Sequence, residues 1–152
     1  MPDYFYDTSA LVKRYHTELG TAEVDLLFAD PTATHSTSRL GAVELLSAFS
    51  IKARMGTITA ASTQAMRARF QNDQAGHIIR ILRMRGKHYR NSEALLLRYG
   101  LQLGLRTLDA LQLAVAVELR RQGRITHIVA SDTNFCSVAQ AEGFVVINPE
   151  QP

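Results

Sequence analysis

Apolar residues along this chain come in two alternating patterns. Short apolar runs bounded by turn residues predict strands at Tyr4-Phe5-Tyr6, Ile78 to Met84, Thr126 to Ser131 and Phe144 to Ile147, and the polar Thr34-His35-Ser36 reads as a further short strand. Between them lie longer stretches of helical period, with hydroxyl residues at their starts and glycines past their ends. Thr8 or Ser9 caps a helix from Ala10 to Glu18, and Gly20 breaks it. Thr21 to Ala29 turns Val24, Leu27 and Phe28 inward. Ser38 caps a long helix from Arg39 to Met55, and Thr59 starts another that reaches Asn72. Ser92 opens a helix to Tyr99, and Thr107 caps an apolar one from Leu108 to Gln122. Thr133 to Glu142 is the last, ended by Gly143. The stretch Gly76 to Asn91 reads as the most irregular part.

Strands alternating with helices from end to end predict an α/β fold of three layers, a mostly parallel sheet between helices. The chain has 152 residues, 46% hydrophobic and 20% charged, which fits one domain over 1–152. No apolar run is long enough to cross a membrane, and Asp3 and Asp7 interrupt any leader-like start. The single cysteine, Cys136, excludes an intrachain disulfide, fits a reducing cytoplasm, and reads as a small buried side chain. The net charge of +3 is carried by arginine, since Lys13, Lys52 and Lys87 are the only lysines. Arginine suits phosphate contacts, yet +3 alone does not single out nucleic acid.

Four carboxylates change the picture. Asp7 ends the first apolar run. Glu44 is the only charged residue between Arg39 and Lys52, and Asp109 the only one between Arg106 and Glu118. Asp132, alone between Arg124 and Glu142, follows Ile128-Val129-Ala130. A lone carboxylate on a buried face costs several kcal/mol unless it is paired or binds metal. No basic residue is expected at helical spacing to neutralise Glu44 or Asp109. Asp7 and Asp132 stand at carboxyl ends of strands, the ligand-binding edge of open α/β sheets. Asp109 lies in the first turn of a helix, where the dipole favours it. Glu44 lies mid-helix on a segment apolar almost all round, predicted to be mostly buried. Convergence of the four on a hard cation, Mg²⁺ or Mn²⁺ with Ca²⁺ as the alternative, points to metal-assisted chemistry on phosphate. The plainer alternatives are helix caps for Asp7 and Asp132 and a dipole role for Asp109. The five histidines show no ligand spacing and read as structural.

The segments Asp7-Thr8-Ser9-Ala10-Leu11-Val12-Lys13, Leu105-Arg106-Thr107-Leu108-Asp109-Ala110-Leu111-Gln112-Leu113-Ala114 and Ala130-Ser131-Asp132-Thr133-Asn134-Phe135, with the isolated Glu44, resemble PIN-domain ribonucleases. Within that family the chain is most similar to VapC-type toxins of toxin–antitoxin pairs. The resemblance runs from Asp7 to Pro149. It implies the PIN fold and Mg²⁺- or Mn²⁺-dependent endoribonuclease activity, with Asp7, Glu44, Asp109 and Asp132 as the catalytic, metal-binding acids. It also implies that Thr8 or Ser9 supports the site or touches substrate, that the chain forms a homodimer, and that a cognate antitoxin masks the acids. A housekeeping PIN nuclease of RNA processing and a catalytically silent RNA-binding module are the alternatives. For RNA contacts the candidates are Lys13 and Arg14 beside Asp7, and Arg83 and Arg85 within the basic stretch Arg80 to Arg90, where His88 and Tyr89 are interleaved. A solvated loop or a dimer edge is the other reading of that stretch.

Overall fold

Five short strands form, all but the polar β2 from apolar runs: β1 (Asp3–Tyr6), β2 (Thr34–Ser38), β3 (Arg80–Leu82), β4 (His127–Val129) and β5 (Val145–Ile147). In the computed structural model, which describes residues 1–152, they make one sheet in the order β3-β2-β1-β4-β5. The expected α/β class holds, and the sheet is parallel at every pairing rather than mostly so. Seven helices connect the strands: α1 (Thr8–Tyr15), α2 (Thr21–Ala29), α3 (Arg39–Arg54), α4 (Ala60–Ala75), α5 (Gly86–Leu103), α6 (Thr107–Arg121) and α7 (Thr133–Ala141). No helix is long and apolar enough to cross a membrane.

Side chains alternate across a strand, so each strand serves two cores. Phe5 and Ile128 turn to one face and pack with Leu113, Phe135 and Val138 of α6 and α7. Tyr4, Tyr6 and Val129 turn to the other and pack with Leu11, Leu45, Phe49 and Phe70 of α1, α3 and α4. Burying a side chain of this size contributes about 1.5–3 kcal/mol.

Several boundaries differ from expectation. Asp7, rather than Thr8 or Ser9, caps α1, accepting from the Ser9 N–H at 3.1 Å. Ser38 does cap α3, through the Gly41 N–H at 2.8 Å. Thr107 is the first residue of α6 rather than its cap, and Arg106 holds the cap position with no side-chain bond. The segment 76–91 is regular for much of its length, containing β3 and the start of α5. α5 begins at Gly86 because His88 is buried, accepts from the Arg85 N–H at 2.9 Å, and meets Glu118 of α6. That long-range partner makes a helix start where the local sequence offers no cap. α3 is only half-buried: Ala42, Leu45 and Phe49 face the core, while Val43 is 58% exposed, and Leu46 and Ile51 are exposed too. Nothing else in the chain covers that side.

The strand order sets the position of the site. From β1 the chain builds outward through β2 to β3, then returns through α5 and α6 to place β4 on the other side of β1. The connections leaving β1 and β4 therefore diverge, and a crevice opens at their carboxyl ends.

Candidate active site

Asp7 follows β1 directly and Asp132 follows β4 after Ala130 and Ser131, so both stand at that crevice. The two strand ends are joined by the Asp7 N–H donating to the Val129 carbonyl at 3.0 Å. Ser9 joins them again. Its hydroxyl donates to Asp7 Oδ2 at 2.6 Å and accepts from the N–H groups of Ser131 (2.9 Å) and Asp132 (3.2 Å). Asp132 in turn caps α7, with Oδ1 accepting from the Phe135 N–H at 2.8 Å. The capping roles of Asp7 and Asp132 are thus real, and each uses only one carboxylate oxygen.

Glu44 comes in from α3. Its Oε2 accepts from the Thr8 hydroxyl and from Gln112 Nε2, both at 2.9 Å. Oε1 accepts nothing from the chain. Gln112 is fully buried on α6, also donates to Thr8 Oγ1 at 3.3 Å, and leaves its own Oε1 without a partner. Gln112 escapes a search of the sequence for charge. Its signal is a polar residue inside the apolar run, one turn after Asp109.

Asp109 projects from the first turn of α6. The expectation that no cation stands at helical spacing from it fails. Arg106, three residues earlier, reaches Asp109 Oδ2 at 3.4 Å and Asp132 Oδ2 at 3.5 Å. Its side chain is 69% exposed, so the pairs are weak.

The carboxylates act on one another. Burial pushes the Asp7 carboxyl up, and the charge of Glu44 adds to this, while Ser9 opposes it. Burial raises Glu44 too, Thr8 opposes, and Asp109 adds. Asp109 is pushed up to about 6 by burial, with the charges of Asp7 and Asp132 adding and Arg106 opposing. The donor set is all oxygen and short of positive charge, which suits a hard divalent cation. No group of three His, Cys, Asp or Glu side chains is gathered tightly enough to hold an ion as it stands. Like charges repel, and each carboxylate takes donors from the chain instead.

The remaining candidates lie elsewhere. Lys13 is buried and held by Glu18 at 3.0 Å and Glu150 at 2.6 Å. Arg14 forks onto Asp73 at 2.7 and 3.2 Å and stacks 3.9 Å above the Phe28 ring. Both are committed to internal ion pairs, which corrects their expected role as RNA contacts. Arg83 and Arg85 are exposed and line a separate cavity beside β3. Cys136 donates to the Ala130 carbonyl at 3.2 Å, and burial pushes its thiol up to about 11, so it is inert.

A family model described as the PIN domain matches residues 4–141. Among solved structures, the chain resembles the Mycobacterium tuberculosis toxin VapC20, described as cleaving the sarcin–ricin loop. The identity is 20%, over 96% of this chain and 99% of that one, with a TM-score of 0.69. VapBC2 from Rickettsia felis, bound to a promoter DNA fragment, matches at 17% identity over 96% and 98% of the two chains, TM-score 0.64. A toxin–antitoxin complex from Klebsiella pneumoniae matches at 17% identity over 96% and 97%, TM-score 0.59. At these identities the likeness is one of fold. No match is found among curated proteins.

Proposed function

The chain belongs to the PIN domain family, and on that ground we propose that it is a metal-dependent endoribonuclease, the toxin of a VapBC-type toxin–antitoxin pair. The observation that supports the reading is that Asp7, Glu44, Asp109 and Asp132 are near enough for their charges to act on one another, and burial raises the carboxyl pKa of the first three. These four acids would hold Mg²⁺ or Mn²⁺, which when bound would supply an activated water and charge stabilisation for displacement at phosphorus. The chain's own residues prepare the acids. Thr8 and Gln112 occupy Glu44 Oε2 and leave Oε1 without a donor from the chain. Ser9 holds Asp7 by Oδ2 and leaves Oδ1 free of hydrogen bonds from the chain. Arg106 sits over Asp109 and Asp132 at the exposed rim, placed to meet a substrate phosphate.

In this reading the whole chain is one PIN domain working in the cytoplasm. Its partners are the RNA substrate, a cognate antitoxin that covers the acids, and a second copy of the chain. The descriptions of the Rickettsia and Klebsiella structures support the antitoxin. The deciding experiment incubates the purified chain with total RNA plus Mg²⁺ or Mn²⁺, and again after treatment with EDTA. Cleavage is expected only with metal, and Asp7→Asn should abolish it. Full cleavage by a chelator-treated, metal-free preparation overturns the mechanism. RNA retained uncut by the wild-type chain in metal points instead to a silent binding module.

A further inference from the structure

Arg83 and Arg85 follow β3 and line a cavity of about 260 Å³ together with His88, Glu118, Leu119 and Arg124. Arg80 and Arg124 meet in an adjoining hollow at the sheet edge. This wall is not the acid site. Glu118 follows Asp109 by nine residues on α6, which puts it about 13 Å along the helix and about half a turn around it.

The arginines here lack carboxylate partners within the chain. Glu118 is the only carboxylate lining the cavity. It is already held by Lys87, by His88, and by Gln122 Nε2 at 2.9 Å. The orientation of His88 is fixed: Nδ1 accepts from the Arg85 N–H, so Nε2 carries the proton toward Glu118. Arg83 and Arg85 pair with no carboxylate of the chain, and Arg124 touches only the Gln122 amide oxygen at 3.3 Å. Three guanidinium groups on one concave wall, none of them paired with a carboxylate, leave their donors open to an external anion. Their forks match phosphate oxygens. Tyr89, next to His88 in the first turn of α5, is 54% exposed and offers a face on which a base can stack.

We propose that this arginine-lined groove beside β3 is a second RNA-binding site, taking the phosphates of a single-stranded segment several nucleotides from the bond at the acids. The choice of RNA over another polyanion rests on the ribonuclease reading.

The test uses the full-length chain carrying Asp7→Asn and a fluorescent single-stranded RNA of mixed sequence, with Kd measured across a salt series. Each phosphate contact adds about 0.7 to the slope of log affinity against log salt for a single strand. Adding Arg83→Ala, Arg85→Ala and Arg124→Ala should lower that slope by about 2 and weaken binding on the order of 100-fold at 0.1 M salt. The triple change to Lys keeps the charges and should keep most of the slope. An unchanged slope in the alanine variant overturns the proposal. So does equal loss in the alanine and lysine variants, because that marks a structural effect. So does a poly-glutamate peptide that binds through these arginines while RNA binding ignores them. Cleavage by the chain with Asp7 restored is followed separately. A slope that falls in a chain that cuts no RNA supports the groove and overturns the nuclease reading. Cleavage with an unmoved slope does the reverse.

Discussion

Asp7 and Asp109 carry opposite kinds of load. Asp7 is a helix cap and its replacement by Asn, itself a good cap, leaves α1 intact. Asp109 caps nothing and is raised to about 6 by burial and by Asp7. An acid raised in the folded state contributes stability below its ordinary value and loses that contribution as pH climbs through its folded value. The metal-free chain should therefore lose stability between about pH 4 and 6, and stay weakened above it. Asp109→Asn should remove part of that loss. Allowing for solvent at a half-buried group, the gain is about 1 kcal/mol, or ~2–4 °C in melting temperature. Melts in EDTA at pH 5 and 7.5 test this. A variant that melts below wild type at pH 7.5 would show Asp109 to be a structural anchor instead.

At the level of elements, the site depends on how closely α3 lies against β2 and α6. Gly41 sets that distance. A Cβ there would stand 2.4 Å from Thr37 Oγ1 and 3.1 Å from Gln112 Oε1. Gly41→Ala should force α3 outward, cost about 1–3 kcal/mol as overpacking does, and displace the Gln112 that holds Glu44. Urea unfolding and RNA cleavage, read side by side, should both fall. Wild-type stability with wild-type cleavage would mean that Thr37 and Gln112 yield without consequence. A glycine in the first turn of a predicted helix gives no hint of this, because the crowding comes from β2 and α6.

Across the whole molecule, apolar surface is left over. Leu97 and Leu101 stand four residues apart on α5 and are 88% and 97% exposed. Residues at that spacing share a helix face, and large exposed leucines on one face mark a contact surface. If the chain pairs with a second copy through α5, Leu97→Glu with Leu101→Glu should convert a dimer to a monomer. Sedimentation velocity reads this directly. A dimer that persists in the variant moves the interface off α5.

Much of the candidate site is legible in the sequence because burying charge is expensive. Four isolated carboxylates in apolar surroundings mark themselves in any chain, and Asp7 and Asp132 could be assigned to strand ends from the runs before them. The alternation of periods likewise determines the α/β class, since each period can bury its apolar face in only one kind of element. Contacts between distant segments decided the rest. The start of α5 depends on His88 meeting Glu118, thirty residues on. The fates of Lys13 and Arg14 depend on Glu150 and Asp73, which fold back onto α1. The grip of Gln112 on Glu44 spans 68 residues. Local pattern reports how much a residue resists water. Only the tertiary structure decides which donor comes within 3 Å of it, because hydrogen bonds and ion pairs act at that range however far apart their partners lie in the chain.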